Sequence, residues 1–186
     1  MNEKEFKKNA QHRMHQAVEH CRTELAQIRT GRASPALLDG VKVSYYGTPT
    51  PLKAIANVTA QEARLLVIQP FDKNSVFDIE KAIQGADLGL NPTNDGNVIR
   101  VPIPALTEER RLELVKFVHN LVEEGRVAVR NVRKDINNHM RELERSHDMS
   151  EDEEHFAHDK IQKITDGHIE ELNKLMQMKE KEILEE

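Results

Sequence analysis

The chain has 186 residues, of which 32% are charged and 4% are aromatic, and it contains no Trp. This mixture is typical of long solvated helices and argues against a compact enzyme core rich in aromatic side chains. The formal charge of −5 argues against nonspecific binding of nucleic acid, but it leaves room for a local basic face. A single cysteine, Cys21, excludes an intramolecular disulfide framework and fits a reducing compartment.

The sequence predicts neither a membrane span nor a targeting segment. It has no apolar run of about 18 residues, the length that a spanning helix requires. Residues 1–8 lack the apolar core of a signal peptide, and their glutamates argue against an organellar transit peptide. We therefore expect a cytoplasmic protein.

Residues 6–28 predict a helix whose apolar side chains recur at alternating intervals of four and three. This heptad-like stripe suits packing against partner helices, and it contains Met14, Val18, Cys21, Leu25 and Ile28. The helix is expected to end at Thr30-Gly31, because glycine commonly follows the last helical turn. Ser34 and Pro35 then predict a short helical turn with Ser34 as its N-cap.

From Val41 the apolar period becomes alternating, which predicts a half-buried strand containing Val41, Val43 and Tyr45. The Pro-rich residues 47–51 cannot form an interior strand. A short amphipathic helix is predicted at 75–84, with Ser75 as a possible N-cap. Further strands are predicted at 56–60, 64–69 and 98–101, the last one after a hairpin turn at 94–97. Together these elements predict a small α+β module.

Residues 107–147 predict a long helix with two distinct faces. At about 100° per residue, an apolar stripe falls within about 80° of arc; its members are Val115, Val118, Val122, Val129, Val132, Ile136, Met140 and Leu143. Four arginines fall along one flank of this stripe, at about 40° to 120° from Val129; they are Arg126, Arg130, Arg133 and Arg141. This arginine edge is a candidate anion-binding face. Four ordinary surface arginines lying over apolar neighbours are the alternative.

Ser150 and Glu153 predict a capping box at the start of a last helix. Residues 150–186 contain five Lys/Arg and twelve Asp/Glu, so this helix is acidic. An acidic helix repels RNA, and any RNA contact is therefore expected on the opposite side of the bundle, although a merely solvated face explains the charge as well. The apolar side chains predicted to point inward are Phe156, Ile161, Ile164, Leu172 and Leu175.

No sequence near the first helix can cover its apolar stripe, so it must pack on the two C-terminal helices. This predicts an α+β fold in which residues 1–30 and 105–186 form a three-helix bundle and residues 31–104 form an inserted domain. Two chain crossings, near 30–34 and 102–105, are the arrangement expected of a hinge. The candidate hinge residues are Thr30, Gly31, Ser34, Pro102 and Pro104.

The motifs that carry common enzymatic chemistry are not found in the sequence. There is no P-loop and no GxGxxG after a strand, and the adjacent Ser146-His147-Asp148 does not by itself make a catalytic triad. The histidine pairs His12/His15 and His155/His158 lack the further ligands of a structural zinc site. We therefore expect no catalytic residue, metal or cofactor, and we interpret His168 and Cys21 as packed core residues.

Six runs of residues, in order and at matching spacing over essentially the full length, resemble the ribosome recycling factor family. They are 28–35 (IRTGRASP), 45–52 (YYGTPTPL), 88–92 (LGLNP), 99–102 (IRVP), 106–111 (LTEERR) and 126–133 (RVAVRNVR). The resemblance implies an elongated three-helix bundle with an inserted β/α/β domain, hinged into an L. It also implies a monomeric translation factor that binds the post-termination ribosome and, with elongation factor G and GTP, dissociates it into subunits, without covalent chemistry of its own.

The same resemblance implies that the bundle docks on large-subunit ribosomal RNA. The arginines that match the family's binding positions are Arg29, Arg130 and Arg133, and Arg126 and Arg32 lie nearby in the sequence. Guanidinium groups bind phosphates without reading base sequence, which fits such a role. A helical structural or adaptor protein with no ribosome role is the competing interpretation, because it explains the apolar stripes and the acidic helix equally well.

Overall fold

A computed structural model describes residues 3–185. Within that range the chain forms five α-helices and six strands in the order α1 (Glu3–Ala26), β1 (Lys42–Tyr45), β2 (Thr48–Pro51), α2 (Leu52–Ile55), β3 (Ala56–Glu62), β4 (Leu65–Pro70), α3 (Val76–Gly85), β5 (Thr93–Asn94), β6 (Ile99–Pro102), α4 (Glu108–Arg145) and α5 (Glu151–Leu184). Short 3-10 turns at Pro35–Leu38 and Lys73–Ser75 precede β1 and α3. The helical unit contains residues 3–28 and 108–185, and the small unit contains Arg29–Thr107.

The helical unit is a bundle of α1, α4 and α5. Arg13 contacts Asp135 while Cys21 contacts the Leu121 carbonyl, so α4 runs antiparallel to α1. The predicted stripe of α1 is buried from Met14 to Leu25, and Phe6 and Ala10 extend it. On α4 the buried positions are Leu114, Val118, Val122, Gly125, Val129, Val132, Ile136 and Met140. Val115 and Leu143, which were predicted to belong to this stripe, are half-buried at its margin.

The predicted capping box begins α5 and is confirmed. The Ser150 hydroxyl accepts a hydrogen bond from the Glu153 amide at 3.3 Å, and the Glu153 carboxylate accepts one from the Ser150 amide at 3.0 Å. The prediction that Phe156 points inward is wrong, since 56% of it is exposed and the Lys160 ammonium lies 3.9 Å from its ring centroid. The buried positions are Ala157, Ile161, Thr165, Leu172 and Ile183. Phe156 lies about 100° from Ala157 around the helix and therefore leaves the core.

The small unit has an antiparallel two-stranded sheet, β1-β2, and an antiparallel four-stranded sheet of order β3-β4-β6-β5. The α+β class is confirmed, as is the alternation around β1: Val43 in the strand and Val41 just before it are buried, while Lys42 and Ser44 are exposed. The Pro-rich segment Thr48–Pro51 forms an edge strand, which proline permits because only one side needs hydrogen-bond donors. Ser75 occupies the predicted N-cap position of α3, but its hydroxyl donates to the Asp72 carbonyl at 2.6 Å and makes no capping hydrogen bond.

The predicted hairpin turn between β5 and β6 is confirmed. The Asp95 carboxylate accepts hydrogen bonds from the Asn97 and Val98 amides at 3.0 Å, and Arg100 pairs with it at 2.9 Å. These contacts, the Val98 amide first, hold the pKa of Asp95 well below its usual range. Gly96 supplies the positive φ (86°) that the turn requires.

The two segments that connect the small unit to the bundle are anchored to the β3–β4 hairpin. The Ala33 amide donates to the Ala63 carbonyl at 2.7 Å, and the Ile103 amide donates to the Arg64 carbonyl at 2.8 Å. Gly31 has a φ of 82°, and a Cβ at this position would lie 3.0 Å from the Leu106 side chain. The two connecting segments therefore pass close to one another inside the small unit.

Within the described residues, no helix is long and apolar enough to cross a membrane.

Candidate nucleic-acid interface

The arginine edge of α4 begins beside the closest approach of the bundle helices. At Gly125 an added Cβ would lie 3.2 Å from Leu172 of α5 and 3.5 Å from Cys21 of α1, so all three helices meet there. Arg126, Arg130 and Arg133 follow at intervals of four and three, which places them on one flank of the buried stripe. The helix thus brings these three predicted residues together along one edge.

Arg126 is held by hydrogen bonds to two side chains, one on the neighbouring helix α5 and one on α4 itself. Its Nε donates to the Asn173 Oδ1 of α5 at 3.0 Å, its Nη2 donates to the same oxygen, and its Nη1 donates to Glu123 at 3.1 Å. Met176 Sδ lies 3.7 Å from Nη2. Only 21% of the side chain is exposed. Arg126 therefore directs its guanidinium toward the protein.

Glu123 joins Arg126 to Arg130. One carboxylate oxygen accepts from Arg126 and the other accepts from Arg130 Nη2. The hydrogen bond from Arg126, followed by that from Arg130, lowers the pKa of Glu123. Arg130 is 44% exposed, and because a guanidinium has five N–H donors in a fixed fork, it retains donors that can bind an anion.

Arg133 is held from α5 in a similar way. Its Nη1 donates to the Gln162 Oε1 at 3.0 Å, and the Gln162 amide in turn donates to Asp166 at 2.8 Å. Asp166 thereby turns the Gln162 carbonyl toward the arginine. Arg133 is half-buried, which agrees with a stem lying along apolar surface and a preordered head.

The expectation that the acidic last helix leaves the arginine edge on the opposite side of the bundle is wrong. Arg126 and Arg133 both contact α5, so the edge follows the α4–α5 boundary. The direct acceptors there are uncharged amides, Asn173 and Gln162. Acidic residues of α5 reach other helices elsewhere, as where Glu171 pairs with Arg22 of α1 at 2.8 Å. A net acidic helix can therefore border a basic edge.

Sequence patterns could have identified part of this network. Glu123 precedes Arg126 by three residues and Arg130 by seven, intervals that place side chains on one helix face. No sequence pattern pointed to Asn173 and Gln162 as partners of these arginines, because spacing within one helix does not predict which residues of a second helix lie beside it. Arg141, the remaining arginine of the predicted edge, is exposed.

Arg29 and Arg32 lie in the small unit, and both are exposed. Arg29 is the first residue of that unit, directly after the bundle residue Ile28. The structure places two candidate hinge residues inside regular elements of the small unit: Pro102 ends β6 opposite Leu65, and Ser34 caps the 3-10 turn through the Ala36 amide at 3.3 Å. Thr30, Gly31 and Pro104 lie in the connecting segments.

His168, Cys21 and the acidic and histidine side chains show no arrangement suited to metal binding within the described residues. Among residues 3–185, no group of three or more His, Cys, Asp or Glu is arranged to hold a metal ion. His168 contacts the Ile164 carbonyl at 2.8 Å through Nδ1 and is half-buried. Cys21 is 3% exposed, and burial raises the pKa of its thiol.

Comparison with known proteins agrees with this architecture. The sequence model of the family described as "Ribosome recycling factor" matches residues 21–184. Ribosome-recycling factors of Syntrophomonas wolfei and Bacillus mycoides are 53% and 54% identical over 182 and 178 residues, which cover 98% and 96% of this chain and equal shares of theirs. That of Thioalkalivibrio sulfidiphilus is 52% identical over 180 residues, 97% of either chain.

Two solved structures are similar over 99% of this chain. One is the solution structure of a ribosome recycling factor, 48% identical, of which 98% is covered at a TM-score of 0.72. The other, 47% identical, is covered in full at a TM-score of 0.62; it belongs to models for the T. thermophilus ribosome recycling factor and the E. coli elongation factor G bound to the E. coli post-termination complex.

The helical bundle with an inserted antiparallel α+β unit, together with these matches, defines a translation factor. The chain belongs to the ribosome recycling factor family.

Proposed function

We propose that this chain binds the post-termination ribosome and, together with elongation factor G and GTP, separates it into subunits for another round of protein synthesis. Family membership supports the recycling role. The structural relative described with elongation factor G on a post-termination complex supports the partner. In this role the chain acts in the cytoplasm as a monomer, binds and transmits force, and leaves GTP chemistry to the elongation factor.

The observation that carries the docking proposal is the preordered arginine edge. Arg130 and Arg133 are each held by one protein acceptor and keep further donors for an anion. A planar guanidinium can bind a phosphate through two parallel hydrogen bonds. We assign the contact to large-subunit ribosomal RNA through Arg130 and Arg133 of the bundle. Arg29, which matches a binding position of the family, and the nearby Arg32 are further candidates for RNA contacts.

Arg133→Glu should abolish binding to large ribosomal subunits. The substitution replaces a guanidinium that donates hydrogen bonds to a phosphate by a carboxylate that the phosphate repels. The circular dichroism spectrum should stay helical. Wild-type affinity should also fall steeply as salt rises, since each phosphate contact releases bound counterions. Co-sedimentation with large subunits at several salt concentrations measures both effects.

A matched variant controls for the change in charge alone. Lys8→Glu makes a similar change at an exposed position of α1 and should retain most of the affinity. Unchanged affinity of Arg133→Glu would refute the docking assignment. Salt-independent binding would favour an adaptor protein with only protein partners. A splitting assay with and without elongation factor G and GTP tests the activity itself; subunits should separate only in the complete reaction.

A hinge between the bundle and the inserted domain is part of the same proposal. Ala33 and Ile103 are hydrogen-bonded to the β3–β4 hairpin, so the bending residues are expected at 29–32 and 104–107. These two segments include the candidate hinge residues Thr30, Gly31 and Pro104. They exclude Ser34 and Pro102. Motion there lets the inserted domain respond to force from the elongation factor while the bundle stays docked.

A further inference from the structure

Arg126 and Arg130 belong to one hydrogen-bond network but differ in how many of their donors it uses. Arg126 engages all three guanidinium nitrogens within the protein and is mostly buried. Arg130 is more exposed and has one acceptor, Glu123, whose other oxygen is fixed by Arg126. The chain of contacts runs from Asn173 through Arg126 and Glu123 to Arg130.

Asn173 is the fixed end of this chain. It projects from α5 beside Leu172, which is fully buried against Gly125 and Cys21. Its Oδ1 accepts two hydrogen bonds from Arg126, which together define the plane of that guanidinium. A residue of another helix thus fixes the orientation of the Arg126 guanidinium, and Arg126 in turn fixes the orientation of the Glu123 carboxylate.

We propose that Asn173 and Glu123 are positioning residues for RNA docking: Glu123 holds the Arg130 guanidinium directly in the orientation in which it meets a phosphate, and Asn173 fixes Glu123 through Arg126. This inference rests on the proposed function and assigns Arg126 a supporting role in place of a phosphate contact. Gln162, oriented by Asp166, does the same for Arg133 from the same helix. The acidic helix α5 therefore contributes to RNA docking without touching RNA.

The energetic reason is the entropy of long side chains. An arginine that is ordered only upon binding loses rotamer freedom at that moment, and prior ordering removes a penalty that corresponds to roughly a two- to twelve-fold change in affinity per side chain. Glu123 also places a negative charge near the phosphate, which opposes binding. Because this exposed carboxylate is screened by solvent and neutralised by two arginines, ordering is the larger effect.

Substitutions at Asn173 distinguish positioning from charge. Asn173→Ala removes the acceptor without changing any charge, and we expect about three- to ten-fold weaker binding to purified large ribosomal subunits. Asn173→Asp keeps an oxygen at the same place and adds a negative charge, and we expect affinity within about two-fold of wild type. An effect of charge alone predicts the reverse order, in which the aspartate variant binds more weakly than the alanine variant.

Glu123→Gln provides a second test with an opposite expectation. Removing a negative charge beside a phosphate should strengthen binding if Glu123 acts only by its charge, whereas loss of the ion pairs that orient Arg130 should weaken it. Glu124→Gln is the matched control, because it makes the same change one residue away at an exposed position of α4. Gln177→Ala, at an exposed position of α5, is the control for Asn173→Ala.

All variants are compared by affinity and by thermal unfolding. Weaker binding of Asn173→Ala and Glu123→Gln, measured well below the melting temperature of each variant and with affinity retained in Asn173→Asp, supports the proposal. Wild-type affinity of Asn173→Ala, a weaker Asn173→Asp, or tighter binding of Glu123→Gln would each overturn it. If wild-type protein and Arg130→Gln bind large subunits equally well, the docking assignment itself has failed, and that result is distinct from failure of the positioning inference.

Discussion

Arg126 and Arg130 are one helical turn apart, yet their surroundings give them different roles. Arg126 is 21% exposed and bonded to α5, whereas Arg130 is 44% exposed and, among residues 3–185, is bonded to Glu123 alone. A guanidinium whose donors are used inside the protein stabilises the boundary between two helices. One with free donors remains available to a ligand. Burial and hydrogen-bond partners, more than residue type, therefore determine which arginine of a basic edge has donors left for a ligand.

Asp95 gives a prediction of pH dependence at the same scale. Its lowered pKa means that the hairpin gains stability from the charged form above the unfolded pKa, near 4, and loses it as pH falls through the folded pKa. Asp95→Asn should therefore accelerate hydrogen exchange of the Val98 amide at pH 7. The difference from wild type should shrink toward pH 3; a constant difference across this range would contradict the ionic origin.

The sequence predicts the candidate site in part. Helical spacing is enough to place Arg126, Arg130 and Arg133 on one edge, because all three lie on α4. The family resemblance adds Arg29 and Arg32. The buried contacts of Arg126 depend on Asn173, 47 residues further along the chain, and no periodic pattern predicts which residues of two helices meet.

At the scale of elements, strong periodic and capping patterns predict the structure well. The stripe of α1, the alternation of β1 and the capping box of α5 are confirmed because each is decided by residues within a few positions. The side chains of Phe156 and Ser75 differ from the prediction. Ala157 lies on the buried face of α5 in place of Phe156, and Asp72 caps the 3-10 turn before α3 while the Ser75 side chain makes no cap.

Two helical glycines provide a matched test of packing in the bundle. Gly125 is buried where α1, α4 and α5 meet, and an added Cβ would lie 3.2 Å from the fully buried Leu172. Gly167 is on α5 with nothing within 4 Å. Gly167→Ala should stabilise the protein by about 0.5–1 kcal/mol through helix propensity. Gly125→Ala should destabilise it by about 1 kcal/mol, because overpacking, about 1–3 kcal/mol, outweighs the same gain.

Urea unfolding of the two alanine variants beside wild type measures both changes. Equal stabilisation by both substitutions would show that Leu172 moves aside freely, and that the three helices are not in their closest contact at Gly125.

At the scale of the whole molecule, the small unit is inserted between the first and second bundle helices. Both of its connections leave from one region, where Gly31 lies against Leu106. The core of the small unit consists of its own residues, from Leu38 to Ile103, so bending at the proposed hinge would not disrupt it. The proposed hinge follows from this connectivity and from the hydrogen bonds that anchor Ala33 and Ile103.

Joining the two units covalently tests whether bending is required for subunit separation. A cross-link between one engineered cysteine in each unit should leave large-subunit affinity intact and stop splitting, with reduction of a cleavable linker restoring it. Cys21 should not interfere, because it is 3% exposed and burial raises its pKa, which disfavours the reactive thiolate. Single-cysteine variants serve as controls, and full splitting by the cross-linked protein would refute the hinge.

The insertion also fixes the order in which the bundle can form during synthesis. About eighty residues separate the end of α1 from the start of α4, so at roughly 5–20 residues per second α1 waits on the order of ten seconds for its first bundle partner. Met14 waits longer still, since it packs beside Thr165 of α5. The small unit is complete before either helix is made. A nascent chain therefore carries a fully synthesised inner unit behind an amphipathic helix, whose apolar stripe lacks its bundle partners until α4 and α5 have emerged.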